Sequence, residues 1–310
     1  VYFELEGDAG ATLNVDGNTF TDVESDIVRF ETNSSVSNSV NILNNTSMDG
    51  GGPDNFPNGG GIQVITDGGD VIFDIRGNSL QDLPGDPIII ASTGGGGDVE
   101  GRIGGANVSD GNEMWNDPLS ILGDGILLTA NDSLAVGQTW TVLIQNNFVG
   151  QNSNGSVTTG MGDDGIAALL GDNNGVYNIT IEDNTIRSVD PQGEGIDFFV
   201  DEDGNDAFPA PVGSTRIVNN SIISVGLFEQ AIEIDTREIF DGCFHIAGND
   251  NGSGAALPGD IEVSQGDTST LQITQASIVA LSMANANSVV FPSGAITFNG
   301  ACTNPPLPSL

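Results

Sequence analysis

Lysine is absent from this chain of 310 residues. Six arginines (Arg29, Arg76, Arg102, Arg187, Arg216, Arg237) and one histidine stand against 43 acidic residues, a formal net charge of −37. Recognition of nucleic-acid phosphates needs clustered cations, so nucleic acid is excluded as a partner. Docking on an anionic membrane surface is excluded on the same ground. No apolar run approaches the ~20 residues that span a bilayer, so no membrane insertion is expected. Val1 opens no signal-peptide pattern, and the sequence reads as a mature chain or an excised fragment. Aromatics make up only 6% of the residues, too few for an obvious sugar-stacking platform.

Disorder requires low hydrophobicity as well as high charge. Here 37% of the residues are hydrophobic and only 16% are charged. A helical protein would use far more Ala, Glu, Lys and Arg. The 44 glycines and 31 asparagines, interleaved with short β-branched clusters, suit many short strands joined by Gly, Asn and Asp turns.

One pattern recurs: apolar, any, apolar, any, any, Asn. It reads Leu13-Asn-Val15-Asp-Gly-Asn18, Val40-Asn-Ile42-Leu-Asn-Asn45, Phe73-Asp-Ile75-Arg-Gly-Asn78, Val142-Leu-Ile144-Gln-Asn-Asn147, Ile179-Thr-Ile181-Glu-Asp-Asn184, Thr215-Arg-Ile217-Val-Asn-Asn220 and Phe244-His-Ile246-Ala-Gly-Asn249. A degenerate eighth copy, Gly101-Arg-Ile103-Gly-Gly-Ala106, fills the one gap. A second element follows each copy, opened by Ile27, Ile62, Ile88, Ile126, Ile166, Ile196, Ile232 and Ile261 behind a Gly or Asp in most coils. A strand this short cannot bury its own apolar face, but strands from successive turns can stack. The expected fold is all-β, a parallel solenoid of about eight or more coils. At roughly 4.8 Å per coil, eight coils give a rod about 38 Å long. The repeated Asn is expected at a left-handed turn, with its amide in a ladder.

From Leu13 to Val263 the chain resembles the right-handed parallel β-helix repeat proteins, whose coils carry an "I-x-x-N-x-I … G-I" pattern. The resemblance implies the right-handed fold. Its members include bacterial surface proteins and adhesins, phage tailspikes, and pectin- and alginate-acting enzymes, so it leaves function open. The expected organisation is a β-helix over 1–263, strands continuing or capping it over 264–300, and a Pro-rich tail over 301–310. Leu271–Ile273, Ile278–Leu281, Val289–Phe291 and Ala295–Phe298 read as further strands.

Catalytic constellations of the β-helix enzymes are not found. Asp163-Asp164 resembles the acid pair of polygalacturonases, but the Gly-His-Gly and Arg-Ile-Lys elements are missing, as is the Asp-Pro-His signature of alginate epimerases. His245 alternates with Phe244 and Ile246 and is expected to point outward in a structural role. Metal binding has more behind it. Asp86, Asp124, Asp164 and Glu194 precede the second-strand Ile in successive coils. Stacked in register, they repel unless cations or protons neutralise them. Asp201, Asp203, Asn205 and Asp206 form a second oxygen-rich segment resembling a calcium loop, without its Gly position or closing Glu. Oxygen donors at turns suit Ca²⁺; the alternative is a solvated acidic surface.

Cys243 and Cys302 are expected to pair and clamp the tail in an oxidising compartment. Asn33, Asn107, Asn154 and Asn251 head N-x-S sequons, but with 31 asparagines many arise by chance, so glycosylation stays open. Outward positions of the second element read Val28, Ile65, Ile89, Leu127, Leu169 and Phe199, an apolar stripe either covered by inserts or open as an interface. Val1, Tyr2, Phe3 and Leu5 are expected to pair beyond the coil stack. The leading expectation is an extracellular structural or adhesive protein, the subunit of a cell-surface stalk or self-assembling filament. Its partners would be copies of itself or the rest of a longer surface protein, with glycans further candidates. The rival readings are a polysaccharide lyase or hydrolase and a calcium-dependent carbohydrate-binding module.

Overall fold

The computed structural model describes residues 1–7, 10–21, 23, 26–48, 60–83, 85–93, 97–115, 123–130, 137–155, 162–171, 175–188, 193–201, 211–224, 230–237, 240–252, 259–266 and 268–310. The chain is a right-handed parallel β-helix. Each turn visits three sheets in the same order. The first sheet has ten strands, from Tyr2–Leu5 to Ser288–Ser293, and the second has ten, from Thr12–Asp16 to Thr297–Phe298. The third has seven, from Thr19–Thr21 to Ser221–Ser224. Among the described residues, strand neighbours within these sheets are parallel, as in Tyr2–Leu5 against Val28–Thr32. Ten rungs at about 4.8 Å give a shaft about 48 Å long.

The aliphatic columns follow the repeat. Val15, Ile42, Ile75, Ile103, Ile144, Ile181, Ile217 and Ile246 stack in register along the second sheet, and all are buried. Ile62, Ile88, Ile126, Ile166, Ile196, Ile232 and Ile261 do the same along the first. The first coil departs from the expectation. Val28, not Ile27, pairs with Ile62, and Val28 therefore faces inward and is fully buried. The glycine before the isoleucine has a steric cause. A Cβ on Gly165 would lie 2.2 Å from Cγ2 of Ile186 and 2.5 Å from the carbonyl of Gly195.

The asparagines form a continuous internal ladder: Asn18, Asn45, Asn78, Asn112, Asn147, Asn184, Asn220, Asn249 and Asn285. Asn78 shows the unit. Its Nδ2 donates to the Ile42 carbonyl (2.9 Å) and to Oδ1 of Asn112 (2.9 Å). Its Oδ1 accepts from the backbone N–H and the Nδ2 of Asn45 (both 3.0 Å). Every hydrogen-bonding position of this buried amide is filled, as burial demands. Two expectations are corrected. The fourth coil's rung is Asn112, displaced past a short 3₁₀ turn at Val108–Asp110, and not the Ala106 position. The left-handed residue is the one before the ladder: Gly17, Asn44, Gly77, Asn146, Asp183, Asn219 and Gly248 all have φ between 55° and 73°. The ladder asparagine itself is free to point inward.

The solenoid continues past Val263. Thr270–Ile273, Ser288–Ser293 and Thr297–Phe298 extend the first two sheets. Ile278–Leu281, expected as a strand, belongs to a helix over Ile278–Ala284, capped by Ser277 Oγ on the N–H of Ala280. The helix sits over the end of the coil: Gly248 N–H donates to the Ala284 carbonyl at 2.6 Å, and Leu281 is buried. It carries the final ladder residue, Asn285, at its C-terminal end. No helix among the described residues is long and apolar enough to cross a membrane.

Candidate functional site: an acidic seam at one corner

The turn that leads into the first sheet places one residue per coil at the same corner. Asp86 Oδ1 accepts the backbone N–H of Asp124 (2.8 Å), Asp124 Oδ1 accepts that of Asp164 (3.1 Å), and Asp164 Oδ1 accepts that of Glu194 (2.7 Å). Asp26 begins the seam by accepting from Gly60 N–H and Gln63 Nε2. The sequence placed these acids correctly in a stack. The carboxylates of Asp86, Asp124 and Asp164 are each anchored by the amide of the next coil.

Those amides do not remove the repulsion. Burial, then the neighbouring carboxylates of Asp164, Asp86 and Asp163, push Asp124 up to about 8. Burial also raises Asp86, against the opposing hydrogen bond from the Asp124 amide. Asp197 lies on the next strand, outward. Burial, then Asp164, Glu233, Asp235 and Asp163, push it up to about 8 as well. One carboxylate oxygen each from Asp124, Asp163 and Asp164 lies within 4.8 Å of the others. Asp124 and Asp164 each spend Oδ1 on the backbone of the next coil, and Asp163 is exposed. Oxygen-only donors with room for water fit a hard divalent cation such as Ca²⁺. Asp163, the sequence neighbour of Asp164, was weighed as an acid pair and not as a metal ligand; Asp197 is brought beside these acids by the coil-to-coil register.

The second segment is elsewhere. Asp201 follows the strand Ile196–Val200, at the opposite edge of the first sheet from Glu194, and its N–H donates to the Leu170 carbonyl. Asp203, Asn205 and Asp206 lie outside the described residues.

The apolar stripe is not a single stripe. Ile89 pairs with Leu127, which pairs with Ala167 and then Asp197. Leu169 pairs with Phe199, two positions along, in a column running from Thr129 to Asp235. Arg237, held by Asp235, lies 4.8 Å over the Phe199 ring and covers it. Leu169 remains 37% exposed. Tyr2–Leu5 is the end strand of the first sheet and pairs on one side with Val28–Thr32.

Cys243 and Cys302 are disulfide-bonded, with Cα atoms 5.5 Å apart. His245 is half-buried, its Nδ1 2.7 Å from Thr274 Oγ1; burial, then Arg216, lowers its pKa. Among the sequon asparagines, Asn33, Asn107 and Asn154 are exposed, whereas Asn251 is buried and donates to Ser288 Oγ. Comparison with protein-family models, curated proteins and solved structures returns no match. The fold places the chain among parallel β-helix proteins as an architectural class.

Proposed function

We propose that the chain is an extracellular structural element, the rigid shaft of a cell-surface stalk or of a self-assembling filament, without catalytic turnover. The observation that carries this is the partly covered apolar edge of the N-terminal coil. At the N-terminal end, the strands Tyr2–Leu5, Thr12–Asp16 and Thr19–Thr21 each pair on one side only. Phe3, Leu5, Leu13 and Phe20 there are only partly buried. Such edges are templates for a further coil. At the other end Ser288–Ser293 and Thr297–Phe298 also pair on one side only, but the helix Ile278–Ala284 packs beside them and Pro292 interrupts the first-sheet edge by lacking a donor. The proposed contact is the N-terminal edge, through another copy or through further coils.

The disulfide supports an oxidising, extracellular setting. Five of the six arginines are committed to ion pairs: Arg29, Arg76, Arg102, Arg216 and Arg237. That commitment weighs against a lyase, which needs a free base beside its carboxylates. The acidic seam favours a second reading, a Ca²⁺-dependent surface module that presents the cation to a glycan. Size-resolved electron microscopy of the native material tests the first reading: rods joined at one end support it, and isolated globular particles contradict it. Glycan-array binding that requires Ca²⁺ would favour the second.

A further inference from the structure

We infer that residues 299–310 form a thiol-releasable strap, which locks the C-terminal coils onto the middle of the shaft. The chain leaves the last coil at Asn299, in the left-handed region at φ 63°, with Gly300 N–H on the Ile273 carbonyl. It then turns back along the outside of the second sheet. The disulfide fixes Cys302 to Cys243, and the Thr303 carbonyl accepts from Ser214 Oγ at 2.5 Å. Pro305 is buried. Ser309 donates through both its N–H and its Oγ, the latter at 2.7 Å, to Oε1 of Glu100.

These anchor points belong to one column. The register runs Cys243, Ser214, Asn178, Thr141, Glu100. The three residues between the ends, Ser214, Asn178 and Thr141, are short polar side chains that leave room for a strap above them, beside a column that runs His245, Arg216, Thr180, Leu143 and Arg102. From Cys243 to Glu100 is four coil steps, about 19 Å at the usual strand spacing. From Cys302 to Ser309 is seven residues, about 22 Å in the polyproline geometry that Pro305, Pro306 and Pro308 favour. The strap's length thus matches the column it follows. Its covalent lock lies at the upper end and its charged hydrogen bonds at the lower.

Reduction of the bridge by a dithiol breaks the S–S bond. It leaves two thiols on the chain and oxidises the dithiol to its own disulfide. The strap is then held only by Ser214, Glu100 and the packing of Pro305.

The test is backbone amide relaxation by NMR on the whole chain, oxidised, reduced with dithiothreitol, and as Glu100→Ala with the disulfide intact. Order parameters at Leu307 and Ser309 are expected near the rigid value of about 0.85 in the oxidised chain, and below about 0.6 after reduction. Glu100→Ala should loosen Ser309 while Thr303, beside the bridge, stays rigid. Flexible Leu307 and Ser309 in the oxidised wild type would overturn the proposal. So would a Glu100→Ala chain in which Ser309 remains rigid. The Glu100→Ala arm decides the matter even where the reduced chain unfolds. Neither arm depends on whether the shaft is a stalk, a filament or a glycan binder.

Discussion

Asn147 Nδ2 donates to Oδ1 of Asn184 at 3.0 Å, while the backbone N–H of Asn147 donates to the same oxygen at 2.9 Å. One amide therefore satisfies two donors of the coil below, and its own Nδ2 satisfies the Ile144 carbonyl at 3.0 Å. The prediction is positional. Asn184→Ala strands two donors and an acceptor in a dry interior, at about 1–3 kcal/mol for each group left unpaired. Asn18→Ala, at the open end of the ladder, strands only the groups of a partly exposed turn and should cost at most about 1 kcal/mol. Urea unfolding of the two variants checks this; equal losses would contradict a ladder that matters most where it is buried.

This ladder shows what was legible in the sequence. The apolar-x-apolar-x-x-Asn pattern located seven of the nine rungs by position, because period-two burial and a fixed turn leave a local trace. Asn112 was missed because Gly105–Gly111 separates it from Ile103, and only the stacking of coils restores its register. The acids Asp86, Asp124, Asp164 and Glu194 were legible for the same local reason. Asp197 was not, since its proximity to the seam depends on coil-to-coil pairing. The helix Ile278–Ala284 read as a strand because its apolar residues alternate without a periodicity long enough to decide.

A second prediction concerns pH. Asp124 and Asp197 are pushed up to about 8 in the folded chain, against about 3.9 for an unfolded aspartate. Between these values the folded state holds protons that the unfolded state has released, so stability falls as pH rises. Without divalent cations, the melting temperature should decline from about pH 4 to about pH 8 and then level off with respect to these groups. A melting temperature that climbs across that window would contradict the repulsive seam.

A third prediction follows from the same acids. Millimolar Ca²⁺ at pH 8 and fixed ionic strength should raise the melting temperature, by mass action on the folded state. Asp124→Asn keeps an oxygen for the Asp164 amide while removing one charge. It should raise the melting temperature in EDTA and shrink the Ca²⁺ increment. An increment of the same size in Asp124→Asn and wild type would place any bound cation elsewhere.

A fourth prediction is steric. Gly165→Ala drives a methyl into Ile186 and the Gly195 carbonyl. Overpacking against backbone costs roughly 1–3 kcal/mol. Gly155, at φ 68° with open space around its Cβ position, should lose less on the same change. Thermal unfolding of both variants separates the clash from the backbone term.

The shaft is proposed to join its neighbours through the N-terminal end. The decisive measurement is sedimentation velocity over a wide concentration range, with paired end variants. Leu13→Asp places a charge on the N-terminal coil; Met283→Asp places one on the C-terminal helix, where Met283 is 83% exposed. Concentration-dependent association of the wild type is expected, abolished by Leu13→Asp and retained in Met283→Asp. A wild type that stays monomeric at the highest concentration, or an association lost only in Met283→Asp, would contradict it.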